Sequence, residues 1–277
     1  MNIIKSLFVV LFLFTSVFAT TGSAASKNLT VHLINVGQGD SIYIKTPTGD
    51  DILIDAGYKD GSDTVIYLKK QKVKDIEMMI STHPDFDHVG GLDEVLKAYK
   101  VKSVYAPKVQ HTTQAFKDFL LAVKREGVKI KTAQKGVRLP LKGVIAVFVA
   151  PVKSYAKSEL NNWSAVLRLE YGKKSFLFTG DAELASETDM MKSKQKLQAT
   201  VLKVGHHGAK TSTSASFLRA VKPQYAVISV GKNSYGHPTS TVVNRLKSAK
   251  VTTYRTDKDG NILFTTDGTK MTVKKVK

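Results

Sequence analysis

The segment Thr82-His83-Pro84-Asp85-Phe86-Asp87-His88 constrains this chain more than any other. Four side chains able to ligate a metal fall between positions 83 and 88, directly after an apolar run, Ile76–Ser81, that reads as a buried strand. Side chains two apart in an extended segment face the same way, which puts His83 and Asp85 on one side. The turn toward Gly90-Gly91 and a following helix then aims Asp87 and His88 at a second point nearby. Such a loop suits a pair of divalent cations. Cysteine is absent, which removes disulfides, thiolate ligands and a cysteine nucleophile. Any ion must therefore be held by His, Asp, Glu, Asn or backbone oxygen.

The rest of the chain alternates short apolar runs with helix-like stretches. Leu29–Val36, Ser41–Lys45 and Asp51–Asp55 read as a three-strand meander, with turns at Gly37-Gln38-Gly39-Asp40 and Pro47-Thr48-Gly49-Asp50. Helices are expected over Asp63–Lys70, Leu92–Tyr99 and Thr113–Glu126, with a strand at Ser103–Ala106 between the last two. A second half begins near Val137 with strand Ile145–Ala150 and the hairpin Ala165–Tyr171/Lys174–Thr179. Strands Thr200–Val204, Tyr225–Val230 and Val251–Arg255, helices Phe217–Val221 and Thr241–Lys250, and a closing hairpin Asn261–Thr265/Lys270–Val273 complete it. Each half reads as strands first and strand–helix alternation after. One α/β domain of two similar sheet-and-helix halves is the natural arrangement. His32 falls inside the first strand and reads as structural; Trp163, the only tryptophan, reads as core.

Residues 1–25 read as a secretory signal. Lys5 precedes an unbroken apolar run, Leu7–Phe14, and small residues follow through Ser23-Ala24-Ala25, the expected cleavage site. The run is too short to span a bilayer comfortably, so no stable membrane span is expected after cleavage. Residues 26–277 then form one domain outside the cytoplasm, secreted or held at the cell surface or wall. The chain carries 42 Lys and Arg against 23 Asp and Glu, a net charge of +19. A charge this large favours polyanionic partners such as nucleic acid or teichoic-acid-type polymers, although each lysine cluster alone is also an ordinary solvated surface.

The ligand loop resembles that of the metallo-β-lactamase superfamily, whose pattern is His-x-His-x-Asp-His, with Asp85 where most members have the second His. Further segments extend the likeness: Val36-Gly37-Gln38-Gly39-Asp40-Ser41, Leu53-Ile54-Asp55-Ala56-Gly57, Asn161-Asn162-x-Ser164, Thr179-Gly180-Asp181 and Gly205-His206-His207-Gly208. This ordered set resembles the extracytoplasmic hydrolase domain of ComEC-type DNA-uptake proteins and covers nearly all of residues 26–277. The resemblance implies a four-layer αββα sandwich of the metallo-β-lactamase type with two divalent ions, zinc or manganese, on loops at one edge of the sheets. It implies metal ligands His83, Asp85, Asp87, His88, Asp181 and, in preference to His207, His206. Asp55 would orient the ligand loop, Asp87 would serve both metal and catalysis, and His207 and His237 would face substrate. The histidine that the family commonly supplies between the loop and the bridging Asp is missing. Asn162 and Ser164 stand in its place, either as weak ligands or as substrate contacts. Lys210 and Ser212 could donate to phosphate oxygens, although a helix N-cap explains Ser212 or Ser214 equally well. The oxygen-rich donor set at His83 and Asp85 suits manganese better than zinc.

The implied activity is metal-assisted hydrolysis. Three functions compete: a phosphodiesterase or nuclease acting on extracellular DNA in a competence-like setting, a hydrolase of a cell-wall or teichoic-acid-type ester, and a non-catalytic DNA-binding accessory with a structural metal. A β-lactamase fits less well, because Asp85 and the missing histidine alter the zinc site such enzymes use.

Overall fold

The alternation of side chains along the strands decides the layers. Ile42, Ile44, Ile52, Ile54, Met78 and Ile80 face one core, while Tyr43, Leu53 and Met79 between them face another. Leu167, Leu169, Phe176 and Phe178 enter the first of these cores from the second sheet, and Val166 and Leu177 point away into a third. A strand that is apolar on both faces must be covered on both, and this chain builds two such sheets. The middle core lies between them. Helices Ser62–Lys70, Leu92–Ala98 and Gln114–Glu126 cover the outer face of the first sheet, and Leu184–Lys192, Ala215–Val221 and Ser240–Ser248 cover the second. The result is the expected αββα sandwich. The computed structural model describes residues 28–58 and 60–276, so the expected export segment lies outside the described residues.

The first sheet runs, in spatial order, Met271–Val276, Asn261–Thr266, Leu29–Leu33, Ser41–Lys45, Asp51–Ala56, Met78–Ile80, Val104–Ala106 and Ile130–Thr132. Its early strands pair antiparallel, and from Asp51–Ala56 onward they are parallel. The second sheet runs Thr252–Arg255, Tyr225–Ile228, Val201–Lys203, Lys174–Phe178, Val166–Tyr171 and Ile145–Ala150, and its first four strands are parallel.

Two expectations change. The closing hairpin belongs not to the second half but to the first sheet, where Asn261–Thr266 pairs with Leu29–Leu33. Ile262 and Phe264 thereby join the middle core and tie the chain's end to its beginning. The run Ile76–Ser81 is not one strand: Asp75–Ile76 pairs with Lys100–Val101 in a separate two-stranded ladder, and only Met78–Ile80 enters the sheet. His32 is buried, with Nδ1 2.9 Å from the Tyr67 hydroxyl, and Trp163 is buried as well. Among the described residues no helix is long and apolar enough to cross a membrane.

Candidate metal centre

Parallel strands deliver their following loops to the same edge, and in both sheets that edge is the carboxyl end. Asp51–Ala56 carries Asp55 there, and Met78–Ile80 leads into Thr82 and His83. From the second sheet, Lys174–Phe178 leads to Asp181, Val201–Lys203 to His206 and His207, and Tyr225–Ile228 to Ser229.

Asp55 pins the ligand loop. Its carboxylate accepts from the Thr82 N–H at 2.8 Å, the Thr82 hydroxyl at 2.6 Å and the His88 Nδ1–H at 2.9 Å. With its hydroxyl proton committed to Asp55, Thr82 accepts from His83 Nδ1–H at 3.0 Å. Both rings are thus fixed with Nε2 turned inward. Asp85 occupies the N-cap position of the short helix Phe86–Val89, yet its side chain makes no cap bond. The carboxylate instead lies 3.5 Å from His83 Nε2. Gly39 allows the first turn to pack on this loop: a Cβ there would collide with the Asp87 carbonyl, and the Asp40 N–H donates to that same carbonyl at 3.2 Å.

The resemblance favours His206 over His207, on the premise of an extended chain. The backbone is not extended there. His206 and His207 are consecutive left-handed residues with φ of 46° and 51°. Such conformations cost about 1–3 kcal/mol each and persist where the surroundings enforce them. The result places His207, not His206, among the ligand-loop residues. His207 Nε2 lies 3.3 Å from His88 Nε2, 3.4 Å from Asp87 Oδ2 and 3.3 Å from Asp181 Oδ2. His206 is at the mouth, a quarter exposed, its Nδ1 3.0 Å from Glu183 and its Nε2 3.8 Å from Asp181.

Two donor groups merge here: His83, His88 and Asp181, and Asp87, His88 and His207. His207 Nδ1–H donates to the Ser229 carbonyl at 2.8 Å, and a carbonyl can only accept. Each neutral ring therefore presents its Nε2 lone pair to the centre. His83 Nε2 and Asp181 Oδ1 are buried without hydrogen-bond partners. Three imidazole lone pairs and the carboxylates of Asp87 and Asp181 converge without a matching set of donors, which is the chemistry of a divalent cation site. The electrostatics agree. Burial would raise the Asp181 carboxyl, but His207 and His88 hold it well below the usual carboxylate range. Burial likewise opposes the ionised form of Asp87, yet His207 and His88 bring it to about 2. Burial would lower His207, but Asp181 and Asp87 raise it to about 9; His88 is raised for the same reason, first by Asp181. The potential that draws protons onto these nitrogens equally draws a cation.

Several expected substrate contacts are otherwise engaged. Ser212 is buried and donates to the Gly205 and Ala209 carbonyls at 2.6 and 3.1 Å, so it closes a turn rather than meeting phosphate. Ser214 is the N-cap of the following helix, accepting from Phe217 N–H at 3.2 Å. Asn162 accepts from the Ser186 N–H at 3.1 Å and is buried, which makes it a support for helix Leu184–Lys192. Ser164 accepts from the Asp181 N–H at 3.0 Å and so positions the shared carboxylate. Lys210 is exposed. His237 sits at the rim, its ring 5.2 Å from that of His206, and Nδ1 has no partner.

Sequence reasoning missed a buried pair. Lys203 Nζ lies 2.5 Å from Asp40 Oδ2 and 3.7 Å from Asp181 Oδ1, and it donates to the Gly180 carbonyl at 3.0 Å. Both side chains are 1% exposed. A lysine flanked by Leu202 and Val204 in an apolar strand, two residues before the Gly-His-His turn, was the available signal. Glu183, which holds His206 and also accepts from Thr211 at 2.7 Å, carried no comparable signal.

Residues 34–232 match the profile of the metallo-beta-lactamase superfamily. The chain belongs to the metallo-β-lactamase superfamily. Members of this superfamily are generally metal-dependent hydrolases. Among curated proteins the chain is 34% identical over 253 residues to ComE operon protein 3 of Bacillus subtilis, covering 84% of this chain and 32% of that protein. It is 32% identical over 234 residues to competence protein ComA of Neisseria gonorrhoeae, covering 83% of this chain and 31% of that one. The chain thus spans about a third of the length of these relatives. Among solved structures, the metallo-β-lactamase fold protein YhfI of Bacillus subtilis superposes with a TM-score of 0.58 at 12% identity, covering 86% of this chain and all of YhfI. At that identity the likeness speaks for the metallo-β-lactamase fold alone.

Proposed function

We propose that this chain is a metal-dependent phosphodiesterase that acts on DNA outside the cytoplasm. The observation that carries the proposal is the merging of two donor groups through His88, with Asp181 facing both. Adjacent cation positions that share ligands suit in-line displacement at phosphorus. The net charge of +19 and the similarity to competence proteins support DNA as the polyanion.

Asp87, His88, His207 and Asp181 would hold one ion; His83, Asp85 and Asp181 would hold the other, with His206 beside them. When bound, such ions supply Lewis acidity, lowering the pKa of water and neutralising charge on phosphoryl oxygens. The chain's own residues do the rest. Asp55 and the Ser229 carbonyl fix the tautomers of His88 and His207, and Ser164 fixes the loop bearing Asp181. His237 is pushed below its ordinary value by burial and by the neighbouring His206 and His207. Its place at the rim beside His206 lets it meet a phosphate oxygen or the leaving group.

The test is incubation of the purified protein with single-stranded DNA, duplex DNA and bis-p-nitrophenyl phosphate, each with manganese, zinc or chelator. Metal-dependent cleavage of DNA and of the small diester is the expected result. Tight DNA binding without turnover in any metal would instead establish a non-catalytic accessory.

A further inference from the structure

Few large apolar side chains are left exposed among the described residues, and three of them stand around the metal centre. Phe86 is 44% exposed, and its chain neighbours are Asp85 and Asp87. Tyr58, 37% exposed, meets Phe86 with ring centroids 5.2 Å apart. Tyr235, 64% exposed, lies on the other side with its ring 5.7 Å from that of His237 and inclined at 31°, and His237 in turn lies 5.2 Å from His206. The Tyr58 phenol is raised first by partial burial and then by the charges of Asp87 and Tyr235.

The Tyr235 loop is held ready. Asn233 Oδ1 accepts from the N–H groups of Tyr235 and His237 at 3.1 and 3.0 Å, and its Nδ2 donates to the Gly231 and His237 carbonyls at 2.8 and 2.9 Å. At the base of the loop, the Gly231 backbone sits so close to Gly37 and Gln38 that a Cβ would clash with their main chain. A backbone held in this way loses little freedom when a flat ligand stacks on the ring it carries.

We propose that Phe86, Tyr58 and Tyr235 form a stacking platform for the bases of single-stranded nucleic acid, which sets the diester beside the metal centre and discriminates against duplex. The proposal rests on the phosphodiesterase reading of that centre. The faces of unpaired bases stack on aromatic side chains irrespective of sequence, whereas duplex bases are already stacked on one another. Lysine charge alone gives no preference for the single strand, because the duplex carries the denser phosphate charge. The exposed Lys210 and Lys232 flank the His207 turn and the Tyr235 loop, where a strand's phosphates would pass.

The experiment compares manganese-loaded protein binding two fluorescent twelve-mers with identical phosphorothioate backbones, one of thymidines and one of abasic residues. The platform predicts tighter binding of the thymidine strand. Tyr235→Ala should weaken thymidine binding by about 5- to 150-fold, toward the abasic value, and Tyr235→Phe should restore it. The double variant Tyr58→Ala/Tyr235→Ala should erase the difference between the strands. Equal affinity of the wild type for both strands, or an equal loss on both in the alanine variants, would overturn the platform. Failure of the phosphodiesterase reading looks different: thymidine strands with ordinary phosphates would stay intact in every metal, whatever the binding preference.

Discussion

The two ends of the metal centre are built differently. At one end His88 and His207 are sealed, 0% and 1% exposed in their side chains, and each has its outer nitrogen fixed by a buried acceptor. At the other, His83 is buried but its neighbours Asp85 and His206 are 31% and 25% exposed. The sealed end offers two buried imidazoles, whereas the open end offers His83 with the half-open Asp85, has His206 standing beside them, and faces the rim carrying Tyr235 and His237. Imidazole nitrogen suits zinc, and carboxylate oxygen shifts relative preference toward manganese, although zinc binds more tightly in absolute terms. On the proposed reading, this difference would let the centre keep one ion at the sealed end and exchange another at the open end.

Removing the sealed end should have the largest effect. Asp87→Ala and His207→Ala should each eliminate the tightly held ion and all hydrolysis, while His206→Ala should retain the ion. Mass-spectrometric metal counts alongside diester turnover check this, and retention of the ion in His207→Ala would break the comparison. Next comes the support beneath both ends. Lys203→Met leaves Asp40 buried and unpaired, a loss of about 3–5 kcal/mol that denaturant unfolding of the metal-free protein should reveal. A double replacement, Lys203→Met with Asp40→Leu, should recover much of that stability.

Much of this centre was legible because its ligands are local. His83, Asp85, Asp87 and His88 follow an apolar run at a spacing that an ordinary surface loop rarely shows, and their place in the structure needs only a strand and a turn. Ser41–Lys45 and Asp51–Asp55 were equally legible as apolar strands, although their continuous apolar runs do not say which face meets which core. What could not be read depends on distant pairing or on unusual backbone. Asp40 and Lys203 meet across the two sheets, and no local pattern ties them. The choice between His206 and His207 turns on two consecutive left-handed residues, whereas the sequence pattern was read as extended. The closing hairpin's return to the first sheet is decided by Ile262 and Phe264 filling the middle core, a packing outcome rather than a periodicity.

Smaller effects sharpen the contrast. Asp55→Asn keeps the shape but weakens the acceptor that orients His88, so ion affinity at the sealed end should fall about 10- to 100-fold, as judged by chelator competition. Asp85→His adds an imidazole at the open end. It should leave the sealed ion unchanged and move the activating metal from manganese toward zinc, seen as crossed titrations of activity with the two ions.

The most direct test of unequal ends is a count of bound ions during restoration of activity. Protein purified without added metal would be analysed by mass spectrometry, then titrated with manganese while cleavage of a labelled DNA strand is followed. Unequal ends predict about one retained ion per chain, little cleavage at the start, and activity that rises as a second ion binds. Two equally tight zinc ions with full activity and no response to manganese would contradict it.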